Sequence, residues 1–63
     1  MATLSARQAT ENAFSLGAEH SEQGQVLDTQ NAALQVIIAA SGMSADKLKN
    51  IYKEGYQDGL ITF

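Results

Sequence analysis

Few side chains in this sequence are of a kind that does chemistry. His20 is the one group that titrates near neutrality without perturbation, and Glu19 and Glu22 flank it. An imidazole between two carboxylates has the parts for moving a proton or holding a cation. A metal site, however, needs three or four ligands fixed in a rigid geometry, and these three fall in a short polar stretch that ends at Gly24. The spacing predicts a solvated loop histidine. Cysteine is absent, which removes thiol nucleophiles, thiolate metal sites and disulfides together. No serine stands in a G-x-S-x-G setting or beside a local base. Catalysis also needs a cleft that excludes water, and a chain of 63 residues has little material for one. The expectation is a protein that is not an enzyme, with no catalytic residues, no metal and no cofactor.

Nucleic-acid chemistry is the next possibility. Three of the four basic residues, Lys47, Lys49 and Lys53, fall in one short segment with Asn50. Lysine can meet phosphate or guanine, and asparagine can read adenine. The charge balance argues the other way. Residues 1–42 carry Arg7 against Glu11, Glu19, Glu22 and Asp28, 1 − 4 = −3. Residues 43–63 carry the three lysines against Asp46, Glu54 and Asp58, 3 − 3 = 0. The total is −3, with a pI near 4.7, whereas neutralising phosphate needs a basic surface. Asp46 and Glu54 lie on the same arc as the lysines, which is the pattern of a solvated face of mixed sign.

The third group is apolar. Tyr52 and Tyr56 are one helical turn apart, with Gly55 and Gly59 beside them and Leu60, Ile61 and Phe63 just after. Glycine inside a helix costs about 1 kcal/mol relative to alanine, so Gly55 points to close approach by another helix. An apolar end on so small a chain needs a cover. Tyr52, Tyr56, Leu60, Ile61 and Phe63 are therefore the candidate partner-binding residues.

These groups must be positioned by helices. Ser5 and Gln8 have the spacing of a capping box, and Ala6, Ala9, Ala13 and Leu16 form a stripe with Phe14 on its edge. A first helix is expected over 5–19, with Gly17 a possible stop. Asp28 is the expected N-cap of a second helix over 28–41, with Leu27 and Ala32 as its staple. Leu34, Ile37, Ile38 and Ser41 share one face of it, but Val36 falls off that face, so burial on two sides is expected. A strand over 34–40 is the rival reading, disfavoured because alanines flank the run and no second strand of matching length exists. Gly42 ends the second helix and Ser44 caps the third, with Met43 and Leu48 as staple and Asp46 in the first turn. Gly59 is the expected stop of the third helix.

The corner between the last two helices resembles a helix-turn-helix. Gly42 stands at the start of the turn, Met43 after it, and Leu48, Ile51 and Ile37 at the inward positions. Ile38 stands where a small residue is usual, and Ser41 where a large apolar one is. The resemblance implies a DNA-binding regulator acting as a dimer, with Lys47, Lys49, Asn50 and Lys53 toward the nucleic acid.

The whole chain, 1–63, thus reads as one all-α domain of three helices with a tight αα-corner between the second and third, its larger apolar side chains mostly after residue 25. Below about 70–80 residues a lone core rarely supplies more than about 3–5 kcal/mol, so without disulfide or metal the expected support is association. The preferred reading is a small acidic interaction protein, a regulator, inhibitor or assembly component, that binds a protein partner and self-associates as a homodimer or higher oligomer. The alternative is the helix-turn-helix regulator. No basic start followed by an apolar run marks a leader, and the longest apolar stretch is too short for a bilayer. No membrane role and a cytoplasmic setting are expected.

Overall fold

Ser5 starts the first helix as its type and spacing require. In the computed structural model, which describes residues 3–61, Ser5 is extended and its hydroxyl accepts from the Gln8 N–H at 3.1 Å. The Gln8 side chain accepts in return from the Ser5 N–H at 3.0 Å, so two otherwise orphaned donors are satisfied reciprocally. The helix, α1, runs Ala6–Glu22, three residues past the expected end. Gly17 does not stop it, and lies buried within it.

The second helix, α2, is Ala32–Ser41, later than expected at its start. Its cap is Asn31, whose side-chain oxygen accepts from the Leu34 N–H at 2.8 Å. Asp28 has a different task. Its carboxylate accepts from the Gln30 N–H at 2.9 Å, and its carbonyl oxygen accepts from Asn31 Nδ2 at 2.6 Å. Asp28 therefore folds the turn that delivers the cap. At the other end Gly42 takes a left-handed conformation, φ +68°, and its N–H closes on the Ile38 carbonyl at 3.2 Å. That is the stop expected of a glycine here.

The third helix, α3, spans Ala45–Ile61. Ser44 precedes it, its hydroxyl accepting from the Lys47 N–H at 3.5 Å. The helix runs through Gly59, which is buried rather than terminal. Among the described residues there is no strand, and no helix is long and apolar enough to cross a membrane.

α1 and α3 lie side by side and run in parallel. A Cβ on Gly55 would strike the Phe14 carbonyl oxygen, and one on Gly59 would strike Ser21 Oγ and the Ala18 carbonyl. The two helices thus advance together. A Cβ on Gly17 would likewise strike the Tyr52 carbonyl oxygen. α2 runs back alongside them, its Ala40 carbonyl accepting from Thr3 N–H at 2.7 Å and Leu4 N–H at 3.1 Å. The principal packing joins α1 to α3, and α2 touches each more lightly. The link between α2 and α3 is short, as expected, but its packing is light, and the tight seam is elsewhere.

Ala9, Ala13, Leu34, Leu48 and Tyr52 form the buried core, with Leu4, Leu16, Ile37, Ile38, Met43 and Ile51 packed against it. The volume comes from the second half of the chain, as expected, and the close approach comes from the first. Burial of α2 on two sides is not found within the chain: Leu34 is its one buried residue, and Val36 is 65% exposed.

Candidate functional site

The longer α1 carries His20 into its last turn, where the ring is half-buried against α3. His20 Nδ1 lies 2.7 Å from Tyr52 Oη, and the two rings meet edge to face with centroids 5.6 Å apart. His20 is therefore not a solvated loop histidine. Tyr52 itself has no exposed surface, and its hydroxyl oxygen also accepts from the Asp28 N–H at 3.4 Å. The hydroxyl is thus partnered on two sides, and every buried polar side-chain atom among the described residues has a partner.

Tyr56, one turn later, is half-buried and donates its hydroxyl to the Gln25 carbonyl at 2.5 Å. Two tyrosines on one face of α3 thus pin the connection between α1 and α2 at residues 25 and 28. This corrects the assignment of Tyr52 to a partner surface: its side chain is spent inside the fold. Tyr56 keeps part of its ring exposed beside the connection it holds.

Leu60 and Ile61, the next candidates, are 55% and 82% exposed at the C-terminal end of α3. They belong to the helix rather than to a separate tail. Phe63 lies outside the described residues. At the same end of the molecule the pinned connection exposes Val26, 84%, and Leu27, which the helical periodicity did not single out as surface. Leu27 is the expected staple of a helix that in fact begins later, so its side chain is left outside.

Lys47, Asn50 and Lys53 are exposed on α3 and Lys49 is half-buried, with Asp46 and Glu54 exposed among them. The polar arc is of mixed sign and gathers no basic stripe. The described residues enclose no pocket and hold no group of three histidine, cysteine or acidic residues placed to grip a metal. Chemically, the arrangement offers apolar contact area at one end and a hydrogen-bonded brace beneath it. No protein-family model, curated protein or solved structure matches the chain.

Proposed function

We propose that this is a non-enzymatic interaction protein, a small regulator, inhibitor or assembly component acting in the cytoplasm. It binds another protein through the apolar end formed by Val26, Leu27, Tyr56, Leu60 and Ile61. The observation that carries the reading is the exposure of Val26, next to the Gln25 carbonyl that Tyr56 holds, and of Leu60 and Ile61 at the end of the same helix. Several large apolar side chains left exposed on a small protein favour a contact site over a solvated one. The Tyr56 hydrogen bond to Gln25 supports it, since it holds the connection beside the helix end in advance of binding and so lowers the ordering cost. Acidic Glu19, Glu22 and Asp28 are exposed nearby in sequence and supply a negative rim toward a basic partner. Self-association belongs to the same proposal, because the core is small and has no covalent staple.

The test is a comparison of two double variants with wild-type protein, each first checked for helicity. Leu60→Ser with Ile61→Ser should abolish capture of the native partner, and Lys49→Gln with Lys53→Gln should leave it intact. Loss confined to the lysine pair, together with a salt-sensitive shift of duplex DNA by the wild type, would replace this reading with the helix-turn-helix one.

A further inference from the structure

One buried hydroxyl ties three parts of the chain together. Tyr52 on α3 has no exposed surface. Its Oη lies 2.7 Å from His20 Nδ1 at the end of α1, and 3.4 Å from the Asp28 nitrogen in the connection. Among the described residues these are its two polar contacts. The amide can only donate, so it takes a lone pair of Oη. The hydroxyl's own proton then needs an acceptor, and the one within reach is His20 Nδ1. A nitrogen that accepts is unprotonated, which in a neutral imidazole places the ring proton on Nε2.

Proton uptake by the ring breaks this arrangement. An imidazolium donates from both nitrogens. Oη could accept from Nδ1–H and from the Asp28 N–H together, but its own proton would then be buried without an acceptor, which is costly. A ring that turns away from Oη orphans the same proton. Relief in either case requires the hydroxyl to reach water, and so requires the connection or the end of α1 to move off Tyr52.

Charges around the pair pull both ways. Glu19 and Glu22, the C-terminal end of α1 itself, and Asp28 in the connection favour a cationic ring. Lys49 and Lys53, on either side of Tyr52 in α3, oppose one, and Glu54 follows them. α2 contributes none, since no charged residue occurs from 29 to 45. Apart from half-buried Lys49 these side chains are exposed, so water and salt screen them. The enclosed hydroxyl has no such screening, and its hydrogen bonding decides the outcome.

We infer that His20 and Tyr52 form a proton-sensitive latch: the neutral ring holds Tyr52 and, through it, the connection over 23–31, and protonation of the ring releases that connection. Acid favours the released form because it binds one more proton. Val26 and Leu27 ride on the connection, so release reshapes the apolar end. The latch itself stands whether or not that end meets a partner.

Nitrogen NMR of the imidazole and amide hydrogen exchange test it. At about pH 7.5 the wild-type ring should show a protonated Nε2 and an accepting Nδ1. Between about pH 7.5 and pH 5, where histidine ordinarily takes up its proton, the protection factor of the Asp28 amide should fall about tenfold or more. Protection in the middle of α1 and α3 should hold over the same range, which distinguishes release from general acid unfolding. His20→Gln, neutral throughout, should show no such fall, although Glu19, Glu22 and Asp28 titrate in it as before. Tyr52→Phe, which keeps the ring, should leave the Asp28 amide equally exposed at both pH values. A wild-type ring protonated mainly on Nδ1, or an Asp28 amide equally protected at both pH values, would overturn the latch. The same fall in His20→Gln, or a loss of protection spread evenly over α1 and α3, would do so too.

Discussion

The seam between α1 and α3 and the outer face of α2 invert what hydropathy alone leads one to expect. α2 is built almost entirely of apolar residues, three of them β-branched, yet one of its ten is buried. The seam is lined by Ala9, Ala13, Gly17 and Ser21 from α1 and by Leu48, Tyr52, Gly55 and Gly59 from α3, a poorer set on any hydropathy scale. What separates them is how closely backbones approach. Small residues every fourth position let two long helices meet along their length, and each glycine lies against the partner's backbone. A short helix of ten residues cannot gain as much by turning its larger side chains inward. In a chain this small, burial follows shape before it follows hydropathy.

The sharpest way to break that comparison is to add one carbon to the seam. On an open helix surface, glycine to alanine stabilises by about 1 kcal/mol. At Gly55 the new Cβ would meet the Phe14 carbonyl oxygen, and at Gly17 the Tyr52 carbonyl oxygen. Both are main-chain atoms that cannot rotate away. Gly55→Ala and Gly17→Ala should each destabilise by about 2–4 kcal/mol, most of what a fold of this size has, so that urea unfolding begins without a native baseline. Stabilisation by either change would mean that the helices stand further apart than the seam requires.

Next in size is the brace that holds the connection. Tyr52→Phe keeps the ring in the core and removes the hydroxyl that meets His20 and the Asp28 N–H. The expected cost is about 1–2 kcal/mol, with faster hydrogen exchange at the Asp28 amide. Tyr56→Phe, which removes a more exposed bond to Gln25, should cost less, about 0.5–1 kcal/mol. If the two changes prove equal, the buried and exposed ends of the brace are not distinguished as burial says they are.

Much of the architecture was legible in the residues. Ser5 with Gln8, Gly42 in its left-handed turn, and a third helix beginning after Ser44 act through local chemistry, and local chemistry is what a sequence displays. Gly55 also gave its reason away, since a glycine in a helix interior implies a close neighbour. The partner turned out to be α1 of the same chain. Gly17 and Gly59 were harder. A glycine near a plausible helix end reads as a stop, and only the partner helix reveals it as packing. Misplacing those two ends hid the site, because a helix that stops at Glu19 leaves His20 in a loop, and a tail after Gly59 separates Leu60 from Tyr56. The surplus apolar surface of α2 was visible as Val36 off the main stripe. What it faces depends on contacts that no local pattern carries.

A smaller effect separates the two candidates for the cap of α2. Asn31 accepts from the Leu34 N–H at 2.8 Å, and Asp28 accepts from the Gln30 N–H at 2.9 Å in the turn before it. Asn31→Ala removes a true cap and should cost about 1 kcal/mol. Asp28→Ala should cost about half of that or less, because an exposed turn retains solvent as an alternative partner. Thermal unfolding of both variants orders them, and the reverse order would return the helix start to residue 28.

The smallest expected effect is the one that most directly contrasts α2 with the seam. Val36→Ser removes a large aliphatic side chain from a residue 65% exposed. Serine and valine differ little in helix propensity, and no core side chain loses a neighbour. In dilute protein the change should therefore lie within about 0.5 kcal/mol of wild type. Leu34→Ala, two residues away on the buried side, should cost about 2–5 kcal/mol by leaving a cavity. The pair tests whether α2 holds its place through one inward residue. A Val36→Ser variant already destabilised by more than about 1 kcal/mol when dilute would place Val36 in the core of the single chain, and the contrast between α2 and the seam would then be lost.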